Sequence, residues 1–339
     1  MKSKKIALIG GAGFIGHNLA ISLKEYGHNP IIIDNLAVNN ILSFTDIDIK
    51  NRNLYWGILN ERIELLHNNG IEINVEDARD YNALSMLLKE ADPDVIIQLA
   101  AVSHANKSNK DPHTTFDHTL RTLENALDYC IDKKGKCNSP HFIYFSSSMV
   151  YGHFLTDQVT ENTQCNPLGI YGTLKYSGEL IVKAYSRVFN LPYTIIRPSS
   201  LYGERCVSRR VGQIFIENAV QQLDIEITGD GQDKLDFTYI EDLTQGIILT
   251  IENEGAINET FNLTYGEAHT IGELAEILKD HFDDINIKYI PKDNLTPDRG
   301  TLNVDKARKI LGYKPQNSIE IGYPKYIQWY KQVWDEIKK

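Results

Sequence analysis

Cysteine is scarce in this chain. The four present, Cys130, Cys137, Cys165 and Cys206, form no CxxC pair and are too few to staple 339 residues. A disulfide scaffold is excluded, and reduced, structural thiols are expected. Long apolar runs are also missing: no window approaches the ~18 consecutive apolar residues of a membrane span. The basic opening MKSKK leads into glycines, His17 and Asn18 rather than an apolar signal core with a cleavage site. The expectation is a cytoplasmic protein that neither crosses nor binds a membrane. There is no basic block, no repeat and no low-complexity tract, and a formal net charge of −10 speaks against nucleic acid. No metal-ligand spacing is present either. A small-molecule partner is expected, and 42% hydrophobic residues can fill two lobes.

Glycine, by contrast, is concentrated where the chain begins. In KKIALIGGAGFIG, Lys4 to Gly16, a short apolar run (Ile6 to Ile9) meets Gly10 and is followed by apolar residues at helical spacing, Leu19, Ile21 and Leu23. That is the pattern of a buried parallel strand, a tight turn and a helix. Gly10 can take the positive φ of the turn, Gly13 has no Cβ to obstruct a pyrophosphate, and Gly16 lets helix and strand pack closely. The free N–H groups opening the helix would face the diphosphate. The next apolar run, Ile31 to Ile33, ends in Asp34, a carboxylate that suits the ribose hydroxyls of NAD and repels the extra phosphate of NADP.

The rest of the first half alternates in the same manner. Asparagine-rich Asn35 to Gly70 carries helical spacing from Tyr55 to Leu66; it reads as a surface excursion with one helix or, functionally, as a lid or oligomer contact. A strand over Ile71 to Val75 leads to Asp77, and a helix over Ala83 to Leu88 precedes the run Val95 to Ala101. A long helix is predicted from Thr114 to Cys130, then a strand, His141 to Phe145, running into Ser146, Ser147 and Ser148. A helix from Tyr171 to Phe189 and a strand from Tyr193 to Arg197 follow. Such alternation predicts an α/β fold, a doubly wound parallel sheet of the Rossmann kind with a smaller α/β substrate-binding lobe. The expected division is an NAD-binding domain over 1–185, with a crossover contribution from about 236–262, and a substrate lobe formed mostly by 186–339.

Tyr171 and Lys175 stand four apart and project from one helix face. Such a pair is commonly a solvated face, but it also has a chemical use. A phenol of pKa about 10 is a poor base at neutral pH; an adjacent ammonium stabilises its anion, which can then take a proton from a sugar hydroxyl as hydride leaves the same carbon. Ser147, at the end of the preceding strand, could hydrogen-bond the reacting oxygen.

With these residues in view the chain resembles an extended short-chain dehydrogenase/reductase of the NAD-dependent sugar-nucleotide epimerase and dehydratase family. The motifs are GGAGFIG at Gly10 to Gly16, DNL at Asp34 to Leu36, EDARD at Glu76 to Asp80 and LAA at Leu99 to Ala101. They continue with SSSMVYG at Ser146 to Gly152, YGTLK at Tyr171 to Lys175, RPSSLYG at Arg197 to Gly203, and GDG with DFTYIEDL around Asp230 to Leu243. The resemblance implies Tyr171 as base, Lys175 as its electrostatic partner and Ser147 as the third member. It implies an NAD site from Gly10, Gly13, Phe14, Ile15, Gly16, Asp34, Asn35, Asp77, Ala78, Leu99, Ala100, Ala101 and Pro198, together with Tyr171 and Lys175. It further implies a nucleoside-diphosphate sugar as substrate and a homodimer through the helices at Thr114 to Cys130 and Tyr171 to Phe189.

Family members that eliminate water place an Asp-Glu pair just after the catalytic hydroxyl, where this chain has Ser148 and Met149. Met149 can neither protonate a leaving hydroxide nor abstract a carbon-bound proton. Epimerisation at the oxidised carbon, C4, is therefore the expected outcome, ahead of 4,6-dehydration or net dehydrogenation or reduction; a non-catalytic NAD-binding sensor or scaffold is the alternative outside enzymes. Two positions depart from the family. His118 replaces an asparagine near the cofactor, and Leu235 replaces an arginine that pairs with the substrate diphosphate, with Lys234 expected to point the other way. The remaining candidates for the phosphate charge are Arg205, Arg209, Arg210 and Arg299; His104 and Ser148 are expected to line the sugar pocket.

Overall fold

The computed structural model describes residues 2–46, 50–102, 105–131, 140–291 and 297–337, so that His104 and Cys137 lie outside the described residues. Seven parallel strands form the central sheet: β1 (Lys5–Ile9), β2 (Asn29–Ile33), β3 (Ile73–Asn74), β4 (Val95–Gln98), β5 (His141–Phe145), β6 (Tyr193–Arg197) and β7 (Glu259–Asn262). Their spatial order is β7, β6, β5, β4, β1, β2, β3. The helices that matter below are α1 (Phe14–Glu25), α2 (Arg52–Asn68), α3 (Tyr81–Ala91), α4 (Thr122–Tyr129), α5 (Ile170–Phe189), α6 (Val211–Val220), α7 (Ile240–Glu252), α8 (Ile271–Lys279) and α9 (Ile319–Ile337).

Both sheet faces are covered, which is why β1, β4 and β5 read as unbroken apolar runs. On one face Leu8, Ile143 and Phe261 meet Leu19 and Leu23 of α1 and Ile247 and Ile251 of α7. On the other, Ile9, Ile96 and Tyr144 meet Leu84 and Leu88 of α3, Leu123 of α4 and Val182 of α5. Strand order reverses between β1 and β4. A crevice opens at the carboxyl ends of adjacent strands where such a reversal occurs, and it sets the position of the site.

A second core joins α2, α6, α8 and α9 with the parallel pair Ile225–Thr228 and Ile287–Ile290. Here the structure revises the reading of Asn35 to Gly70. Rather than lying on the surface, α2 buries Leu54, Tyr55, Ile58 and Leu59 in a cluster with Phe215, Tyr326 and Tyr330, and the Tyr55 hydroxyl donates to the buried Glu217 carboxylate at 2.9 Å. It spans both cores, with Leu66 in the first.

The predicted helix from Thr114 to Cys130 is also altered. It consists of Pro112–Phe116, a π turn over Asp117–Arg121, and α4. Such a turn inserts a residue into the helical ladder and often marks a functional site. Of the predicted strand Ile71 to Val75, only Ile73 and Asn74 pair with the sheet, at its edge, and Val75 is exposed.

Candidate active site

The glycine-rich turn shapes the crevice. Gly10 has φ +80°, and a Cβ there would lie 2.6 Å from the Ala100 nitrogen, so both conformation and space demand glycine. Gly13 differs: a Cβ would meet no protein atom nearer than 3.4 Å, so its missing side chain serves the cleft rather than internal packing. Gly13 starts α1 without any side-chain cap. The first N–H groups of that helix and its positive dipole end thus border a cleft, as an anion site requires.

That cleft has about 1010 Å3 of space, counted to its open mouth, and is lined by Gly10, Gly13, Phe14, Ile15, Gly16, Asp34, Asn35, Asp77, Ala78, Leu99, Ala100 and Ala101. Twelve positions expected around a dinucleotide thus share one wall. Three expected positions are not on it: Tyr171 and Lys175 of α5, and Pro198, whose carbonyl accepts the Ser148 N–H at 2.9 Å.

Asp34 accepts N–H bonds from Ala12 (3.0 Å) and Leu36 (2.8 Å), which fix its carboxylate while burial pushes its pKa up. Asp77 is grasped by the Arg79 guanidinium (2.7 Å) and the Asn35 amide (3.0 Å), and the Arg79 hydrogen bonds hold its carboxyl well below the usual range. His118, in the π turn, lines the cleft with Thr122; burial and then the Arg79 charge lower its pKa, which favours the neutral imidazole. Arg62 of α2 is a wall residue the sequence reading missed. Its signal was available, because it continues the buried stripe Leu54, Tyr55, Ile58, Leu59 at helical spacing, yet it is only 1% exposed. An arginine at such a position buries its charge for a purpose, here to donate to the Arg205 carbonyl, with Nε at 2.8 Å.

Ser147, Tyr171 and Lys175 converge beyond the carboxyl end of β5, all buried. The Ser147 hydroxyl accepts the Met149 N–H at 3.2 Å and hydrogen-bonds the Tyr171 phenol, which favours the phenolate. Burial raises the phenol's pKa above its ordinary value, and the opposing charge is that of Arg210. Lys175 directs its ammonium to the Phe145 carbonyl at 2.7 Å, and burial lowers its pKa to about 7. Ser148, expected in the sugar pocket, is buried with its hydroxyl 3.2 Å from that of Ser199.

A second cavity, of about 700 Å3, is walled by Arg209, Arg210, Arg299, Leu235, Phe237 and Tyr323, among others. Leu201 and Arg210 belong to both cavities, so the two adjoin. Lys234 does point away from Leu235, into a neighbouring pocket that it shares with Arg299. The four candidate arginines thereby separate. Arg205 is spent on joining α1 to α2: its guanidinium donates to His17 Nε2 (3.1 Å) and Asn18 Oδ1 (3.1 Å) on α1 and pairs with Glu61 (3.2 Å) on α2. Arg209 leans on the buried Glu217 at 3.4 Å. Arg299 is half-buried, its Nε has no hydrogen-bond partner among the described residues, and burial together with the Arg210 charge lowers its pKa to about 10. An anion in that cavity would relieve both effects.

The family model for the NAD dependent epimerase/dehydratase family matches residues 6–264. The chain belongs to that family. It is 30% identical, over 96% of its length and 98% of the other, to a Methanocaldococcus jannaschii protein that carries the provisional name UDP-glucose 4-epimerase. It is 28% identical to an uncharacterized UDP-glucose epimerase of Bacillus subtilis, over 97% of this chain and 99% of that protein. Among solved structures, UDP-glucuronic acid 4-epimerase from Bacillus cereus, in complex with UDP-glucuronic acid and NAD, superposes with a TM-score of 0.84 at 26% identity, covering 97% of this chain and 99% of that one.

As a member of the NAD dependent epimerase/dehydratase family the chain uses NAD, and the cleft suits it. The space left at Gly13 and the uncapped α1 N-terminus would take the pyrophosphate, the Asp34 carboxylate the adenosine ribose, and the small residues Ala100 and Ala101 the close approach of the nicotinamide half.

Proposed function

We propose that this protein is an NAD-dependent 4-epimerase of a nucleoside diphosphate sugar, with a UDP-sugar as the first substrate to test. The observation that carries the reading is the hydrogen-bonded pair of Ser147 and Tyr171 followed by Met149 rather than by an acid. Bound NAD supplies the hydride acceptor and, for the return step, the donor. Tyr171 removes the proton of the C4 hydroxyl, Ser147 hydrogen-bonds the same oxygen, and after the ketone turns over in the pocket Tyr171 gives the proton back. No group at Met149 can expel water from the ketone, so the sugar keeps its mass. Arg299, facing the second cavity, is the residue proposed to hold the diphosphate.

The test is incubation of the purified holoenzyme with UDP-glucose, UDP-galactose and UDP-glucuronate, read by NMR and mass spectrometry. Epimers of unchanged mass are expected; a product lighter by one water overturns the reading. We further infer a cytoplasmic homodimer. Phe116, Leu180 and Val188, exposed on the helices around 112–129 and 170–189, are the apolar residues that pairing would cover. Sedimentation at micromolar concentration as a monomer refutes the dimer.

A further inference from the structure

One loop walls both cavities. Between Gly203 and α6 the chain lends Val207, Ser208 and Arg210 to the cofactor cleft, and Arg209 with Arg210 to the second cavity. Arg205 fastens that loop to the cofactor side twice. Its carbonyl, set by left-handed backbone at φ +62°, accepts the Arg62 Nε at 2.8 Å and also the Arg62 Nη2, and Arg62 is itself part of the cleft wall. Its guanidinium donates through Nε to the buried His17 ring at 3.1 Å. An arginine nitrogen can only donate, so His17 Nε2 accepts, and Nδ1 carries the proton that goes to the Gly13 carbonyl at 2.9 Å. The glycine-rich turn is thereby joined to the loop through two side chains. Asn18, on the same helix, accepts a second Arg205 bond at 3.1 Å.

Resting on the epimerase reading, we propose that Arg205 is a positioning residue that ties the glycine-rich turn to the loop between the cavities, so that a nucleotide sugar in the second cavity slows the departure of NAD from the first. Arg205 lines neither cavity; it acts through His17, Arg62 and the loop backbone. A ligand that touches the loop from one side restricts it, and a ligand arriving on the other side meets a wall already ordered. Such coupling is reciprocal. Whatever factor the nucleotide contributes to cofactor retention, the cofactor contributes to nucleotide affinity. The reaction gives this a use: the hydride taken from C4 has to return from the cofactor that received it, and losing that cofactor while the ketone is bound would leave the sugar oxidised.

The experiment follows NAD leaving the native holoenzyme, Arg205→Lys, Asn18→Ala and Arg299→Gln, each with and without saturating UDP, the released cofactor being counted by an added dehydrogenase. UDP is expected to slow release from the native protein about tenfold. Arg205→Lys keeps the charge but has no fork to span His17 and Asn18 together. Its slowing should fall below about twofold, and UDP should bind its NAD-loaded form more weakly by the factor lost. Asn18→Ala, at a half-buried position of α1, should lose part of the slowing, and it carries the test if Arg205→Lys does not fold. Arg299→Gln should need more UDP but, once saturated, keep the native ratio. A role in stability alone would lower the melting temperature and leave every ratio intact. The proposal is overturned by equal release with and without UDP from a native protein that binds UDP, by a native ratio in the folded Arg205 and Asn18 variants, or by a ratio lost only in Arg299→Gln. Failure of the epimerase reading shows differently: native enzyme neither binds UDP nor turns over a UDP-sugar, and the inference falls with it.

Discussion

At the scale of single residues, the active site depends on charge held away from water. Tyr171→Phe removes only the phenolic oxygen; the expected result is a kcat lower by about 10²–10⁴-fold with NAD content unchanged, measured by turnover and by the absorbance of cofactor released on denaturation. Lys175 makes a prediction of another kind. Its pKa of about 7 in the folded protein lies below the ~10.4 of an unfolded lysine, so between those values the unfolded chain binds more protons than the native one. The contribution of this group to stability therefore rises with pH across that window and is lowest below about pH 7. In NAD-free protein, Lys175→Met should be favoured over native most strongly at pH 6.5, and the gap in denaturation midpoint should narrow steadily towards pH 10. A gap constant in pH refutes the assignment. The Phe145 carbonyl that binds this ammonium was invisible in the sequence, where four-residue spacing suggested only that tyrosine and lysine share a face.

At the scale of elements, the strand, turn and helix at the start were legible because each step is local: an apolar run, a glycine needing positive φ, a helical stripe. The two glycines nevertheless predict opposite failures. Gly10→Ala should destabilise the fold, since its Cβ would lie 2.6 Å from the Ala100 nitrogen at φ +80°, whereas Gly13→Ala should fold normally and lose NAD, its Cβ entering the cleft. Thermal denaturation and cofactor content separate the two, and equal loss of stability in both would contradict the account. Elements fixed by distant contacts were less legible. The helical period of α2 was plain, but nothing local revealed that its apolar stripe meets Phe215 and Tyr326, more than 150 residues later by chain position. Leu59 lies in that stripe and is 0% exposed, so Leu59→Ala should lower the free energy of unfolding by about 2–5 kcal/mol in urea titration. A value near zero would return α2 to the surface. Arg205 was misjudged for the same reason: an arginine suited to a phosphate is, in sequence, the same as one that ties His17, Asn18 and Glu61 together.

For the molecule as a whole, the order in which the chain visits its two cores matters most. After β2 it leaves for α2, returns through β3 to β6, leaves again at α6, and comes back with α7 and β7. It departs once more at α8, sends Ala307 and Leu311 to the sheet-side core, and ends in α9. The alternation of apolar patterns made the sheet readable, while this weaving was not, because each visit is stated only by contacts far away in sequence. It bears on how relatives could exchange substrate preference by recombination. A hybrid joined at a single breakpoint near residue 185 would inherit α2 from one parent and the helices it must fit from the other, leaving mismatched halves of the same interior. Such hybrids should be recovered as aggregates, and soluble ones should appear only when the segments around 52–68, 200–236 and 264–337 are transplanted as a set.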